Sequence, residues 1–570
     1  MLHFAYQFLF RSDYFGPLDT MNRDKNQQRL RQETFDLCII GAGASGAGAA
    51  LDAALRGYRV ALIDRGDFAG ETSSRSTKLI HGGVRYLEQA IKKLDLAQLR
   101  QVRHGLAERR TVIRNAPHLA HPLAILTPVF SWFEGMYMTI GLTLYDLISG
   151  HDSFPKGNWL SKAQALDKSP MLTQQMHSAV LYYDGQFNDA RYALALAHSA
   201  DEAGAAVLNY AAVTGFQKEN GRIKAATVHD QLTGETIDVR ATVFLNCTGP
   251  YADSIRLLAN PTLDQRIRPS KGVHIVLPRE TLNSKYAILI PKTTDGRVVF
   301  AIPFGDKVFV GTTDNDYLDL NQEPVLEPDE VDYLIETVTP YLAKTPERTD
   351  VQAGFGGIRP LIVSSRADTK TLLRDHEVEY EATSGLLSLL GGKWTTYRVM
   401  AQDAIDRVSE LLNKSEKSRT ESHYLVGGEN YRFADWQQLQ TQYGLPADVC
   451  QHLMRTYGNR AEDVAKLAQQ NSELASLLTD SQPFINAEVV YQVREEMAVT
   501  VRDVLARRWR LELADWQLTA QLTPQVAELM SAELGWTDAY RAEQIRIYQT
   551  QLNTFMAQAG LTSVPTNALV

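Results

Sequence analysis

Phe35-Asp36-Leu37-Cys38-Ile39-Ile40-Gly41-Ala42-Gly43-Ala44-Ser45-Gly46 is a short apolar run that meets a glycine turn at once. A helix of small residues ends near Gly57, and a second apolar run, Tyr58 to Asp64, follows it. The order strand, glycine turn, helix, strand is that of a dinucleotide-binding unit. Gly41 permits the tight turn and Gly43 lets the backbone approach a pyrophosphate. Gly46, with Ala47 and Gly48, lets the helix pack close to the sheet with its first N–H groups aimed at the phosphates. Asp64 closes the second strand, where a carboxylate accepts hydrogen bonds from an adenosine ribose. A lone G-x-G-x-x-G is weak. The strand before it, the helix after it and the acidic residue at the right distance make this one strong.

Just past the ribose-binding carboxylate runs Gly70-Glu-Thr72-Ser73-Ser74-Arg75-Ser76-Thr77-Lys78-Leu79-Ile80-His81-Gly82-Gly83-Val84-Arg85-Tyr86-Leu87-Glu88. An NAD enzyme has no need of such a crowd of hydroxyls, amides and cations, whereas the pyrophosphate and isoalloxazine edge of a flavin need donors there. From Thr72 to Glu88 the run resembles the FAD-dependent glycerol-3-phosphate dehydrogenases, within the wider D-amino-acid-oxidase-like flavoproteins.

Further stretches agree. Ala205 to Val213 reads as a strand, and Val213 to Asn246 as a meander turning at Glu219-Asn220-Gly221 and Leu232-Thr233-Gly234. It ends in Cys247-Thr248-Gly249, which is similar to the family's second FAD contact, with Cys247 read as a small buried hydrophobe. Strand-rich antiparallel pattern fills Arg268 to Asp314, holding Lys271-Gly-Val-His274 and Gly311-Thr-Thr-Asp314, and Gly356-Gly-Ile-Arg359 follows. Gly391-Gly392-Lys393-Trp394-Thr395-Thr396 starts a helix whose N-terminus carries the partial positive charge that the N1/C2=O locus of a reduced flavin requires. The expected fold is therefore α/β: a Rossmann-like FAD-binding domain with an antiparallel substrate sheet, plus a C-terminal all-α domain. The boundaries are an extension over 1–34, then 35–412 with FAD-binding parts (mainly 35–120, 180–255, 354–412) interleaved with substrate parts (mainly 121–179, 256–353). A linker over 413–422 leads to a helical domain over 423–570, with helices around Ala447–Tyr457, Arg460–Gln470, Asn486–Trp509 and Thr537–Ala559.

At 570 residues the chain has room for about three to five domains. With 44% hydrophobic and 22% charged residues it is neither disordered nor collagen-like. A net charge of −9 without a basic block argues against nucleic acid. Cys38, Cys247 and Cys450 support neither a disulfide framework nor a thiolate metal site, no metal is expected, and a reducing cytosol suits them. The first ten residues lack a basic leader and a cleavage site, so no signal peptide is read, and residues 1–20 are either a loose surface extension or an upstream start. Leu123 to Leu147 is too interrupted to span a membrane. Its residues favour a buried segment over an interfacial aromatic patch. The basic cluster Arg507, Arg508 and Arg510 reads first as a solvated or salt-bridged face, then as an anchor for anionic lipid.

The resemblance implies oxidation of sn-glycerol 3-phosphate to dihydroxyacetone phosphate, electrons passing to a membrane quinone. It makes docking of 123–147 and the basic face on the inner face of the cell membrane credible, in a cytoplasmic, peripheral protein and a possible homodimer. It implies FAD contacts from Gly41, Gly43, Gly46, Asp64, Thr72, Ser73, Ser74, Lys78, Leu79, Val213, Thr248, Gly249, Gly392, Lys393 and Thr395. A phosphate dianion wants guanidinium forks and an ammonium, and by resemblance Arg85, Arg359, Arg374 and Lys393 converge on one pocket with Tyr86. A neutral imidazole among cations is a reasonable base. His81 is assigned as base and His274 as substrate ligand, while His81 as a loop anchor or flavin attachment stays open. The rivals are an oxidase of the same substrate that makes peroxide, an amine or amino-acid oxidase of the same fold, and a flavin-binding sensor without turnover.

Overall fold

Seven residues from Thr34 to Ile40 carry apolar side chains on both faces past Asp36, so the strand they form belongs inside a sheet covered on both sides. The computed structural model describes residues 21–83, 96–149, 154–291, 293, 296–363 and 376–561. Within them the strands are β1 Thr34–Ile40, β2 Val60–Ile63, β3 Leu79–Ile80, β4 Ala120–Val129, β5 Asn158–Ser161, β6 Ser178–Phe187, β7 Ala206–Leu208, β8 Ala211–Glu219 and β9 Arg222–Asp230. They continue as β10 Thr236–Asn246, β11 Ile267–Pro278, β12 Ala287–Ile290, β13 Val299–Phe304, β14 Lys307–Gly311, β15 Asn315–Asp316, β16 Ala353–Ile362, β17 His376–Tyr380 and β18 Leu386–Gly391. The first sheet runs β17-β18-β10-β1-β2-β7, with the β8–β9 hairpin attached to β10. β10 shows its two environments in one strand: alternating burial where it pairs with antiparallel β9, continuous burial where it enters the parallel stack beside β1.

The second sheet runs β15-β11-β14-β13-β12-β4-β6-β3, with β16 paired to β11 and β5 to β6. Helix Ala44–Leu55 covers the first sheet and packs against helix Tyr397–Leu411, where a Cβ on Gly48 would stand 2.9 Å from the Tyr397 ring. Part of the expected extension is built into this sheet: helix Arg23–Gln32 buries Asn26 and Leu30, and Arg23 pairs with Asp230 at 2.9 Å.

The C-terminal helices share an apolar core with the second sheet, in which Val273, Val310 and Phe355 join Trp509, Trp516 and Phe555. The continuous helix expected over Asn486–Trp509 is broken. It stops at Glu495, and a π-helical turn starts at Asp503. Three β-branched residues in a row, Val499-Thr500-Val501, disfavour helix. The Asp503 carboxylate accepts the Val499 and Thr500 N–H groups, while Asn209 takes the Met497 carbonyl. Helix Trp516–Leu534 falls within the stretch expected to be helical, without bounds of its own in the sequence reading.

Leu123–Leu147 is not one buried segment. Its first part is the interior strand β4, and the rest is helix Trp132–Ser149. That helix buries Leu142 and Tyr145 and turns Trp132, Phe133 (73% exposed), Tyr137, Ile140 and Leu147 (75%) outward. Among the described residues no helix is long and apolar enough to cross a membrane.

Candidate active site

The β1/β10 register carries the glycine turn onto the end of β10: Cys247 N donates to Ile40 O, and a Cβ on Gly41 (φ +100°) would stand 2.8 Å from Cys247 O. Gly46 lies so close to the turn that a Cβ there would fall 1.8 Å from Gly41 O. Gly43 is the N-cap of helix Ala44–Leu55 and gives it no side-chain cap, leaving room for an anion. Ser73 Oγ accepts from Ala44 N at 2.9 Å, so the hydroxyl run at 72–74 meets this helix end directly. Thr248 Oγ1 donates to Asn246 Oδ1 and Gly249 takes φ +56°, which sets the β10 end beside the turn. Asp64 closes β2 and accepts from Ala42 N (2.6 Å) and Gly66 N (2.9 Å); burial pushes its carboxyl up to about 6 against the pull of those two donors. Val213 stands half-buried in β8 at a bulge, and Leu79 is buried in β3. Gly-turn backbone, an open helix N-terminus, hydroxyls and a ribose-side carboxylate suit a dinucleotide pyrophosphate.

One bond ties this cradle to the turn that follows β18 of the first sheet, and another ties it to β16 of the second. Trp394 Nε1 donates to Ser73 O at 2.8 Å, and Thr72 Oγ1 donates to Ile358 O at 2.7 Å, one residue before Arg359. The left-handed Gly391 and Gly392 swing the chain from β18 into the turn Trp394–Thr396, with Lys393 half-buried at its start. His81 N donates to Thr395 Oγ1 at 3.4 Å, which draws exposed His81 to the Lys393–Thr395 turn. Arg359 lies across from Ser270 on β11. Its guanidinium reaches Asp314 (3.1 Å), Thr312 Oγ1 (3.2 Å) and Thr313 O (3.1 Å), and its side chain is 27% exposed.

His274 differs from His81. It is 3% exposed, stacks on Phe355 at 4.7 Å, and contacts Thr77 Oγ1 through Nε2 at 3.1 Å, while its Nδ1 is buried without a hydrogen-bond partner. Burial first, then the nearby Lys78 and Arg359 charges, hold it well below the usual histidine range. Its ring remains a neutral imidazole at physiological pH.

Lys78 is closed off further. All three of its N–H donors go to protein, namely Ser74 O, Ser76 O and Asp189 Oδ2, and it lies over the Phe355 ring. Burial lowers it to about 7, with Asp189 opposing that shift. Its backbone is engaged as well, Lys78 N donating to Ser76 Oγ at 3.0 Å and Lys78 O accepting from Phe187 N at 3.1 Å. Of the two readings of Arg507, Arg508 and Arg510, the salt-bridged one holds and the lipid anchor does not: Arg508 forks onto Asp67, Arg507 pairs with Asp503, and Arg510 reaches Asp189 and Ser74 O. Asp67 and Asp189, far along the chain, made burial of Arg508 and Arg510 possible.

Arg85, Tyr86 and Arg374 lie outside the described residues. Sequence reasoning missed Asp189, Thr77, Phe355 and Trp394. Asp189 follows Asn188, whose side chain caps helix Asp189–Glu202, so its local signal is that of an ordinary helix start. Among the described residues no cluster of His, Cys, Asp or Glu suits a metal ion.

The sequence family described as FAD dependent oxidoreductase matches residues 36–398, and that described as the C-terminal domain of alpha-glycerophosphate oxidase matches 418–541. The mitochondrial glycerol-3-phosphate dehydrogenase of Bos taurus is 41% identical over 526 residues, 90% of this chain and 72% of that protein. The mitochondrial counterpart from Arabidopsis thaliana is 38% identical over 547 residues, 92% of this chain and 86% of its own. The X-ray structure of glycerol-3-phosphate dehydrogenase from Bacillus halodurans, complexed with FAD, matches with a TM-score of 0.79 at 28% identity, covering 96% of this chain and 100% of that one.

Proposed function

The chain belongs to the FAD-dependent glycerol-3-phosphate dehydrogenases, and on that premise we propose that it oxidises sn-glycerol 3-phosphate to dihydroxyacetone phosphate and passes the electrons to a membrane quinone. The observation that carries the reading is the bond from Thr72 Oγ1 to Ile358 O, one residue before Arg359, which supports a substrate-gripping cation next to the FAD cradle. The chemistry that FAD supplies when bound is acceptance of the hydride from the carbinol carbon. Gly41, Gly43, Gly46, Ser73, Thr248, Gly249, Gly392 and Thr395 hold it, and Asp64 accepts from its ribose. His81 takes the hydroxyl proton, because it is exposed beside the Lys393–Thr395 turn whereas the His274 ring is walled in by Phe355 and Thr77. Arg359 and Lys393 grip the phosphate, Arg359 exchanging its Asp314 partner for the stronger dianion. His274, a ring stacked on Phe355 and held by Thr77, backs the substrate side from inside the sheet.

The outward aromatic face of helix Trp132–Ser149 supports peripheral docking on the membrane that holds the quinone, since Trp and Tyr favour the headgroup level. Anaerobic mixing of the yellow protein with sn-glycerol 3-phosphate should bleach the flavin. Reoxidation by a quinone analogue but only slowly by air supports the dehydrogenase; fast reoxidation by air with peroxide would make it an oxidase, and no bleaching would discard the substrate.

A further inference from the structure

We propose that the C-terminal helical domain governs FAD retention, with Arg510 as the positioning residue that holds the cofactor loop against the helix carrying the glycine turn. The loop between β2 and β3 has little regular structure of its own, yet the segment Arg502–Arg510 grips it at several points. Arg508 forks onto Asp67 at the loop's start. Arg502 pairs with Glu323, which also takes Arg75 from the loop. Buried Arg510 donates to Ser74 O and, at 3.0 Å, to Asp189 Oδ1, and its other arm is fixed by Ala506 O at 3.0 Å. Asp189 in turn accepts from Ser76 N, Ser76 Oγ and Lys78 Nζ at 2.7–2.9 Å.

Ser74 O is therefore held by two cations, Arg510 and Lys78, one residue after Ser73, whose hydroxyl receives Ala44 N at the helix end offered to the pyrophosphate. Arg510 touches neither the glycine turn nor Ser73 itself. It acts by fixing the backbone that carries Ser73, so the loop is ordered before the cofactor arrives and less freedom is lost on binding. Linkage requires the reverse as well: FAD must tighten the Arg502–Arg510 segment. The inference rests on the family's FAD and not on the substrate or acceptor, so protein that binds FAD yet is not bleached by glycerol 3-phosphate fails the proposed function alone.

The test strips FAD from purified full-length protein and titrates it back by flavin fluorescence quenching, for wild type, Arg510→Met, Arg510→Lys and Arg494→Met. Arg494 pairs with Glu533 within the helical domain and serves as control. The FAD Kd should rise about tenfold or more in Arg510→Met, recover in part in Arg510→Lys, and stay at the wild-type value in Arg494→Met. A folded Arg510→Met apoprotein with lowered Tm but unchanged Kd would overturn the proposal. Should that variant not fold, amide exchange on the unmodified protein decides: exchange across 502–510 should slow about tenfold on adding FAD, and exchange indifferent to FAD overturns the proposal equally.

Discussion

Arg359 and Arg510 both sit in stretches that resemble one family, yet the first keeps part of its side chain exposed and the second is sealed behind the loop between β2 and β3. The histidines divide in the same way. His81 is exposed, and His274 is stacked against Phe355 and out of reach of water. The difference teaches that a cation in a motif has two uses: in the open it remains available to a ligand, and when sealed it fixes the backbone that ligands meet.

The sealed side breaks hardest. Asp189→Asn leaves Lys78 and Arg510 buried without their shared counter-ion and should cost about 3–5 kcal/mol of stability, read as a lowered denaturation midpoint. The open side should lose rate with its fold intact: His81→Asn is expected to drop kcat by about 10²–10⁴-fold. His274→Asn should keep most of kcat, since the ring is stacked inside the sheet on Phe355; a loss at His274 as large as that expected for His81 would reverse the two roles.

Arg359→Ala should raise KM about 10- to 100-fold, the size of a lost hydrogen bond to a charged group, while Tm moves little because its pair with Asp314 is part-exposed and worth about 1 kcal/mol or less. An unchanged KM would end the phosphate-grip reading. The smallest effect belongs to Asp64. Its carboxyl is pushed up to about 6, and ribose hydroxyls that donate to the ionised form lower it again on binding. FAD binding then releases a proton, so affinity should fall as pH drops through about 6, and Asp64→Asn should flatten that slope.

The glycine turn, the flanking strands and the β8–β10 meander were legible because each rests on neighbours in sequence: Gly41 needs its left-handed φ locally, and the turns at 219–221 and 232–234 carry their own residues. The break after Glu495 was not legible, since Arg191 and Asn209 hold the Glu496–Met497 corner from another domain. The outward face of helix Trp132–Ser149 was hidden for a similar reason: apolar composition alone does not say which side of a helix finds a partner.

The sequence by itself determined the nucleotide-binding order, the antiparallel run β11–β14 of the second sheet, the helical C-terminal part and the residue types at the site, because strand period, turn chemistry and motif spacing are local, whereas the parallel pairing of β12 with distant β4 is not. Only the tertiary structure decided which cations stay open and which are buried. That outcome depends on carboxylates far along the chain, Asp189 for Arg510 and Asp67 for Arg508, and a charge enters the interior only where folding brings such a partner to it.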